Sequence, residues 1–129
     1  MKIDTAFILY VSNQKESALF YAALLQLNPM LDVPGMTEFE LSPDCKIGLM
    51  PEDGISKIIM PALPHPSKAN GIPRCELYLK VADILPFYAR AKLLKAKIVS
   101  EIAVRDWGDN VFYMADRDGH VIAFAQNTE

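Results

Sequence analysis

The stretch Cys75-Glu76-Leu77-Tyr78-Leu79-Lys80-Val81 alternates polar and apolar side chains, and Ala82-Asp83 then opens a segment carrying Phe87-Tyr88, Ala91 and Leu94. The alternation is that of a strand with one buried face; the later spacing is that of a helix. The chain opens in the same order. Thr5-Ala6-Phe7-Ile8-Leu9-Tyr10-Val11 is a short β-rich run, Ser12-Asn13 ends it, and Phe20-Tyr21, Leu24 and Leu25 recur at helical spacing. Asn13 and Glu16 read as a capping box, so a helix is predicted over 14–27, closed by Pro29. Three strand candidates follow each helix: 30–33, 36–41 and 46–50 in the first half, 97–104, 110–115 and 120–125 in the second. Pro34-Gly35 and Pro43-Asp44 punctuate the first set, Asp106-Trp107-Gly108-Asp109 and Asp116-Arg117-Asp118-Gly119 the second. The order is βαβββ twice, and a self-similar pair decides an architecture more firmly than any single propensity.

The halves span about 1–51 and 74–129 of one domain covering all 129 residues. Between them, 52–73 holds Pro51's followers Pro61, Pro64, Pro66 and Pro73, which argues against a long regular element there. Hydrophobic residues at 51% and charged residues at 22% exclude a disordered chain. Thirteen Lys+Arg against sixteen Asp+Glu, with no basic block, exclude the electrostatic footprint of a nucleic-acid binder. No apolar run approaches the ~20 residues of a bilayer span, and the run from Ala6 to Val11 is too short for a signal-peptide core, so no membrane partner is expected. Cys45 and Cys75 form neither a disulfide framework nor a zinc site, which suits reduced thiols and a cytoplasmic location.

Tyr10-Val11-Ser12-Asn13 leading to Phe20-Tyr21, and Trp107-Gly108 followed by Asp116-Arg117-Asp118-Gly119-His120-Val121-Ile122, resemble the vicinal oxygen chelate superfamily of glyoxalase, bleomycin-resistance and dioxygenase proteins. Arg117 stands where the family usually has proline in this turn. The resemblance implies an α+β fold in which two βαβββ modules form a curled mixed sheet around a cleft, usually in a homodimer. It also implies one divalent metal, with ligands at matched places in each module. Those places fall on Ala6, on Glu76, on Ala123, and near Gly48 or Leu49. Alanine has no donor atom, so the inherited metal site is expected to be lost and no cofactor is expected. A relocated divalent-metal site using Glu76, His65 and water is the alternative, and would make the protein a lyase, isomerase or dioxygenase.

No other catalytic constellation replaces it. His65 sits between two prolines and His120 follows a turn glycine; both read as surface residues. The sequence has no H-E-x-x-H, no G-x-S-x-G elbow and no phosphate-binding glycine loop. Glu76 beside Cys75 opposes the low pKa of a nucleophilic thiol.

Strand alternation sends Leu77, Leu79 and Val81 to the helix side and Glu76, Tyr78 and Lys80 to the opposite face. It does the same for Phe7, Leu9 and Val11 against Ala6, Ile8 and Tyr10, and for Ile122 and Phe124 against Val121, Ala123 and Ala125. The candidate ligand-binding residues are therefore Ile8, Tyr10, Glu76, Tyr78, Lys80 and Ala123, with the sole tryptophan, Trp107, at the rim. Each has a plainer alternative. Trp107 can pack on its own module, the tyrosines can be half-exposed sheet residues or dimer contacts, and Glu76 and Lys80 can be solvated charges. Small apolar, aromatic and charged groups together suit a flat organic ring with one or two polar substituents. The expected function is metal-free binding of an aromatic antibiotic or metabolite by a homodimer.

Overall fold

The computed structural model describes residues 1–128 and resolves two compact units, Met1–Asn70 and a second that begins at Gly71.

In the first unit, β1 (Thr5–Val11) leads to α1 (Gln14–Leu25), then β2 (Leu31–Val33), β3 (Met36–Ser42) and β4 (Cys45–Pro51). Asn13 caps α1 as its spacing predicted: its Oδ1 accepts from the Glu16 N–H at 3.0 Å. The helix ends two residues before the predicted limit because Gln26 turns left-handed and its N–H closes on the Ala22 carbonyl. The sheet order is β1-β4-β3-β2, with β1 and β4 parallel and the other pairs antiparallel. Val11, Phe39, Ile47 and Leu49 share the face under α1 and, with Tyr21 and Leu24, are buried. Phe7 lies on the same face near the start of β1 yet stays exposed. On the opposite face Ile8 and Met36 close over Gly48. A Cβ there would lie 2.7 Å from Ile8 Cδ1 and 2.9 Å from Met36 Sδ, so only glycine fits without displacement.

The segment after β4 is more regular than its prolines suggested. An eight-residue helix, α2 (Glu52–Ile59), precedes a 3-10 turn over Pro66–Ala69. Pro51 stands immediately before α2 and Pro61 beyond its end. Both are positions where a missing N–H costs nothing, so the prolines bound the helix instead of breaking it.

The second unit repeats the topology. β5 (Glu76–Lys80), α3 (Leu85–Leu93), β6 (Lys97–Val104), β7 (Asp109–Ala115) and β8 (Val121–Asn127) form a sheet of order β5-β8-β7-β6, with β5 and β8 parallel. Helix α3 starts later than Ala82-Asp83 because Asp83 Oδ1 accepts from the Leu85 N–H and Pro86 follows in the first turn. Phe87 stacks on Phe124 at 4.5 Å, Phe124 on Phe112 at 5.5 Å, and Tyr88 meets Phe112 edge-on at 5.2 Å. This aromatic layer ties the helix to the sheet. It occupies the Leu77, Leu79, Ile122 and Phe124 side, which leaves the opposite face to Glu76, Tyr78 and Lys80 as alternation predicted.

Candidate ligand-binding face

The face of the second sheet opposite the aromatic layer is built on small residues. Tyr78 is registered with Ala123, and Lys80 with Ala125. Ala123 and Ala125 are themselves paired with Tyr113 and Val111 on β7. Because β8 contributes only methyl groups here, the long side chains of β5 can lie across it and reach β7, two inter-strand spacings or roughly 10 Å away. They converge on Asp109, the first residue of β7. The Tyr78 hydroxyl donates to Asp109 Oδ2 at 2.6 Å, and Lys80 Nζ pairs with Asp109 Oδ1 at 3.1 Å.

Trp107 completes the chain of contacts. Its indole N–H donates to the Tyr78 hydroxyl at 2.7 Å, while 59% of the residue stays exposed. The turn that carries it is closed by Gly108 N–H to the Arg105 carbonyl (3.0 Å) and by Arg105 N–H to the Asp109 carbonyl (2.8 Å). Gly108 takes φ +93° there. Thr128 Oγ1 adds a bond to the Gly108 carbonyl at 2.9 Å. Beneath the turn Arg105 donates through Nη2 to Ser100 Oγ and to the Glu101 and Val111 carbonyls. Its guanidinium lies 5.1 Å from the Tyr113 ring centroid, and Tyr113 packs on buried Val111, Ala123 and Ala125.

The electrostatics follow from these partners. The Tyr78 hydroxyl and Lys80 hold Asp109 below the usual carboxylate range. Burial, and then the bond to Asp109, push the Tyr78 phenol above its ordinary value, with the Trp107 bond opposing. At neutral pH the group is a neutral phenol between an indole donor and an ionised, cation-paired carboxylate. It is a fixed scaffold and has no basic atom to spare.

Of the residues singled out in the sequence, Tyr78, Lys80 and Trp107 are thus brought together. Glu76 is exposed on the same face, one strand repeat from Tyr78. Ala123 is fully enclosed, so it supports this face from below. Ile8 and Tyr10 belong to the equivalent face of the first unit, where Ile8 packs over the Gly48 position and Tyr10 is registered with Met50. Asp109 and Arg105 were missed. Only the Asp106-Trp107-Gly108-Asp109 turn hinted at Asp109, and nothing local marked it as the point where two residues of another strand meet.

A concavity of about 590 Å³ lies in the first unit between α1 and β2, lined in part by Gln14, Leu19, Asp32 and Val33. Two of its polar members, Gln14 and Asp32, are already engaged. Gln14 bonds the Val33 carbonyl, Thr37 Oγ1 and the Gly35 N–H, and Asp32 accepts from Thr37.

Residues 5–129 match the family described as the glyoxalase-like domain. The chain belongs to that family, within the vicinal oxygen chelate superfamily. Solved structures carry the same fold. A glyoxalase/bleomycin resistance protein/dioxygenase from Nocardioides aligns over 100% of this chain and 85% of its own, at 18% identity and a TM-score of 0.77. A glyoxalase-related enzyme from Fulvimarina pelagi covers 98% and 89%, at 17% identity and 0.82. TnmS3, an antibiotic binding protein from Streptomyces sp. CB03234, covers 99% and 97%, at 20% identity and 0.71. A search of curated proteins finds no match to this sequence.

The family's metal positions can now be placed by register. Ile8 pairs with Gly48 in the first sheet as Tyr78 pairs with Ala123 in the second, so the position left open between Gly48 and Leu49 is Gly48. Ala6, Gly48 and Ala123 bring no donor atom, and Glu76 brings one carboxylate. A catalytic zinc-type site takes three protein ligands, and the donors at these positions fit one in neither unit. His65 is engaged within its own unit: Nε2 pairs with Asp53 Oδ1 at 2.9 Å and Nδ1 accepts from the Ser67 N–H at 3.1 Å. Asp116, Asp118 and His120 place donor atoms within 4.8 Å of one another. There, however, Asp116 Oδ1 accepts the Asp118 and His120 N–H groups, the hydrogen bonding of a tight turn.

Proposed function

We propose that the protein is a metal-free small-molecule-binding member of the family, and that it takes a flat organic ring, of an aromatic antibiotic or metabolite, on the Trp107 indole. One observation carries this reading: a tryptophan 59% exposed is nonetheless fixed through Tyr78 to a carboxylate that Lys80 holds in place. An exposed indole locked in orientation costs little further ordering when a ring stacks on it, which is what preorganisation contributes to affinity. The description of TnmS3 as an antibiotic binding protein supports the same class of function for a chain of this fold. The missing donors at Ala6, Gly48 and Ala123 support binding without a metal. The active form is a homodimer, since each four-stranded sheet leaves two edges to cover, and the unbridged thiols of Cys45 and Cys75 suit a reducing cytoplasm.

The test is calorimetric titration of an aromatic compound library against wild type and Trp107→Ala. Stacking contributes about 0.5–1.5 kcal/mol beyond area burial, so binders should weaken by about tenfold or more in the variant. Binders unaffected by Trp107→Ala would place the site elsewhere. Elemental analysis finding one transition-metal ion per chain, with binding lost on chelation, would overturn the metal-free reading. A monomer by light scattering at micromolar concentration would overturn the dimer.

A further inference from the structure

Strand register lines up Tyr78, Ala123, Tyr113 and Ser100 across β5, β8, β7 and β6, so all four stand on the face opposite the aromatic layer. Arg105 reaches back over this row from the β6–β7 turn. Its guanidinium lies 5.1 Å from the Tyr113 ring centroid and donates to Ser100 Oγ at 3.1 Å and to the Val111 carbonyl at 3.0 Å. Val111 is two residues, roughly 7 Å, along β7 from Asp109, whose carboxylate takes the Tyr78 hydroxyl that holds the Trp107 indole. A fused planar ring spans such a gap.

Most of this guanidinium is without a protein acceptor. Arginine offers donors on Nε, Nη1 and Nη2. The oxygens that Arg105 meets, Ser100 Oγ and the Glu101 and Val111 carbonyls, all lie on Nη2, where the β6–β7 register shifts between Ser100 and Ala103. Nε is buried with no acceptor, and Nη1 has no protein partner and is open to solvent. The oxygens on Nη2 are moreover neutral. Among the described residues no carboxylate lies within ion-pair distance of Arg105. Asp109 is held by Tyr78 and Lys80, Glu101 accepts from the Tyr88 hydroxyl on α3, and Asp106 is exposed in the turn. A half-buried guanidinium with only neutral acceptors has lost hydration without gaining a counter-charge, so an incoming anion offsets a cost already present in the free protein.

We infer that Arg105 is the specificity-determining residue for a carboxylate on the bound ring, so that the site prefers planar aryl carboxylates to their uncharged analogues. This rests on the proposed ring-binding function and adds to it the ligand's charge and the residue that reads it. The Tyr113 ring and the Nη2 contacts hold the guanidinium in place, as a fork presented to a planar carboxylate requires. A charge-assisted contact of this kind at a half-exposed site amounts to about tenfold in affinity.

The experiment compares 2-naphthoate with its uncharged analogue 2-naphthamide by titration calorimetry at low ionic strength, with far-ultraviolet circular dichroism as the check on folding. Wild type should bind the carboxylate about tenfold more tightly than the amide. Arg105→Gln should bring that ratio close to one and leave the affinity for the amide little changed. Arg105→Lys keeps the charge but loses the fork, so it should lower the ratio severalfold, and it decides the matter if the glutamine variant does not fold. A residue that only plugs the register shift in β6 would weaken both probes together and leave the ratio where it was. That result, equal affinities in wild type, or tighter binding of the amide would overturn the role of Arg105. If both probes still weaken in Trp107→Ala, the ring-binding reading survives such a result. Absence of binding by either probe, or binding indifferent to Trp107→Ala, would overturn both.

Discussion

Replacing Gly119 by alanine tests the close approach that holds the Asp116–Gly119 turn. Gly119 has φ +89°, a conformation that costs a residue with a Cβ roughly 1–2 kcal/mol. The added Cβ would also stand 2.7 Å from Gly71 Cα and 2.9 Å from Gly71 N, both backbone atoms. Moving Gly71 away would relieve the overlap, but its N–H donates to the Asp118 carbonyl at 3.1 Å. Losing that bond costs about 0.5–1.5 kcal/mol, and retaining it keeps the overlap, which costs about 1–3 kcal/mol as overpacking. The cheaper route sets the expected total, about 1.5–3.5 kcal/mol. Gly108→Ala is the matched control, because Gly108 has φ +93° and nothing within 4 Å of its virtual Cβ. It should show the conformational cost alone. Urea denaturation followed by circular dichroism and by Trp107 fluorescence would measure both variants. If Gly119→Ala is no more destabilising than Gly108→Ala, the steric part of the reasoning is wrong.

Phe124→Ala removes a fully buried ring stacked on both Phe87 and Phe112, and should cost about 3–5 kcal/mol by the same urea measurement. Tyr78→Phe leaves the indole N–H without its protein acceptor, so fluorescence anisotropy of Trp107, the sole tryptophan, should fall while the far-ultraviolet spectrum holds. The Asp109 carboxyl, depressed by the Tyr78 bond and then by Lys80, contributes stability that is present above its unfolded value near 3.8 and is lost as pH falls through its lower folded value. That acid loss should be smaller in Tyr78→Phe, as read from thermal melts between pH 5 and 2, values chosen to bracket about one carboxylate titration. The Tyr78 phenol, raised chiefly by burial, keeps its contribution below its ordinary value near 10 and loses it as pH rises through the higher folded value, so the melting temperature of wild type should fall more steeply there than that of Tyr78→Phe.

Local pattern alone determined the elements, the βαβββ repeat and the two faces of each sheet. Period-two alternation in Cys75–Val81, the Asn13 cap and helical spacing at Tyr21 and Leu24 depend on neighbours a few residues away, so they can be read along the chain. The prolines after Met50 misled as a count and informed as boundaries, because what a proline does depends on which turn of a helix it meets. Tertiary structure decided what the faces do. Glu76, Tyr78, Lys80 and Trp107 were visible as candidates, but the group that organises three of them is Asp109, 31 residues from Tyr78. It is reached only because β5, β8 and β7 lie side by side and β8 offers alanines at the crossing. Strand register likewise assigned Gly48 to the empty ligand position and enclosed Ala123. Pairing between strands is a long-range choice set by the whole packed sheet, and no short window of sequence contains it.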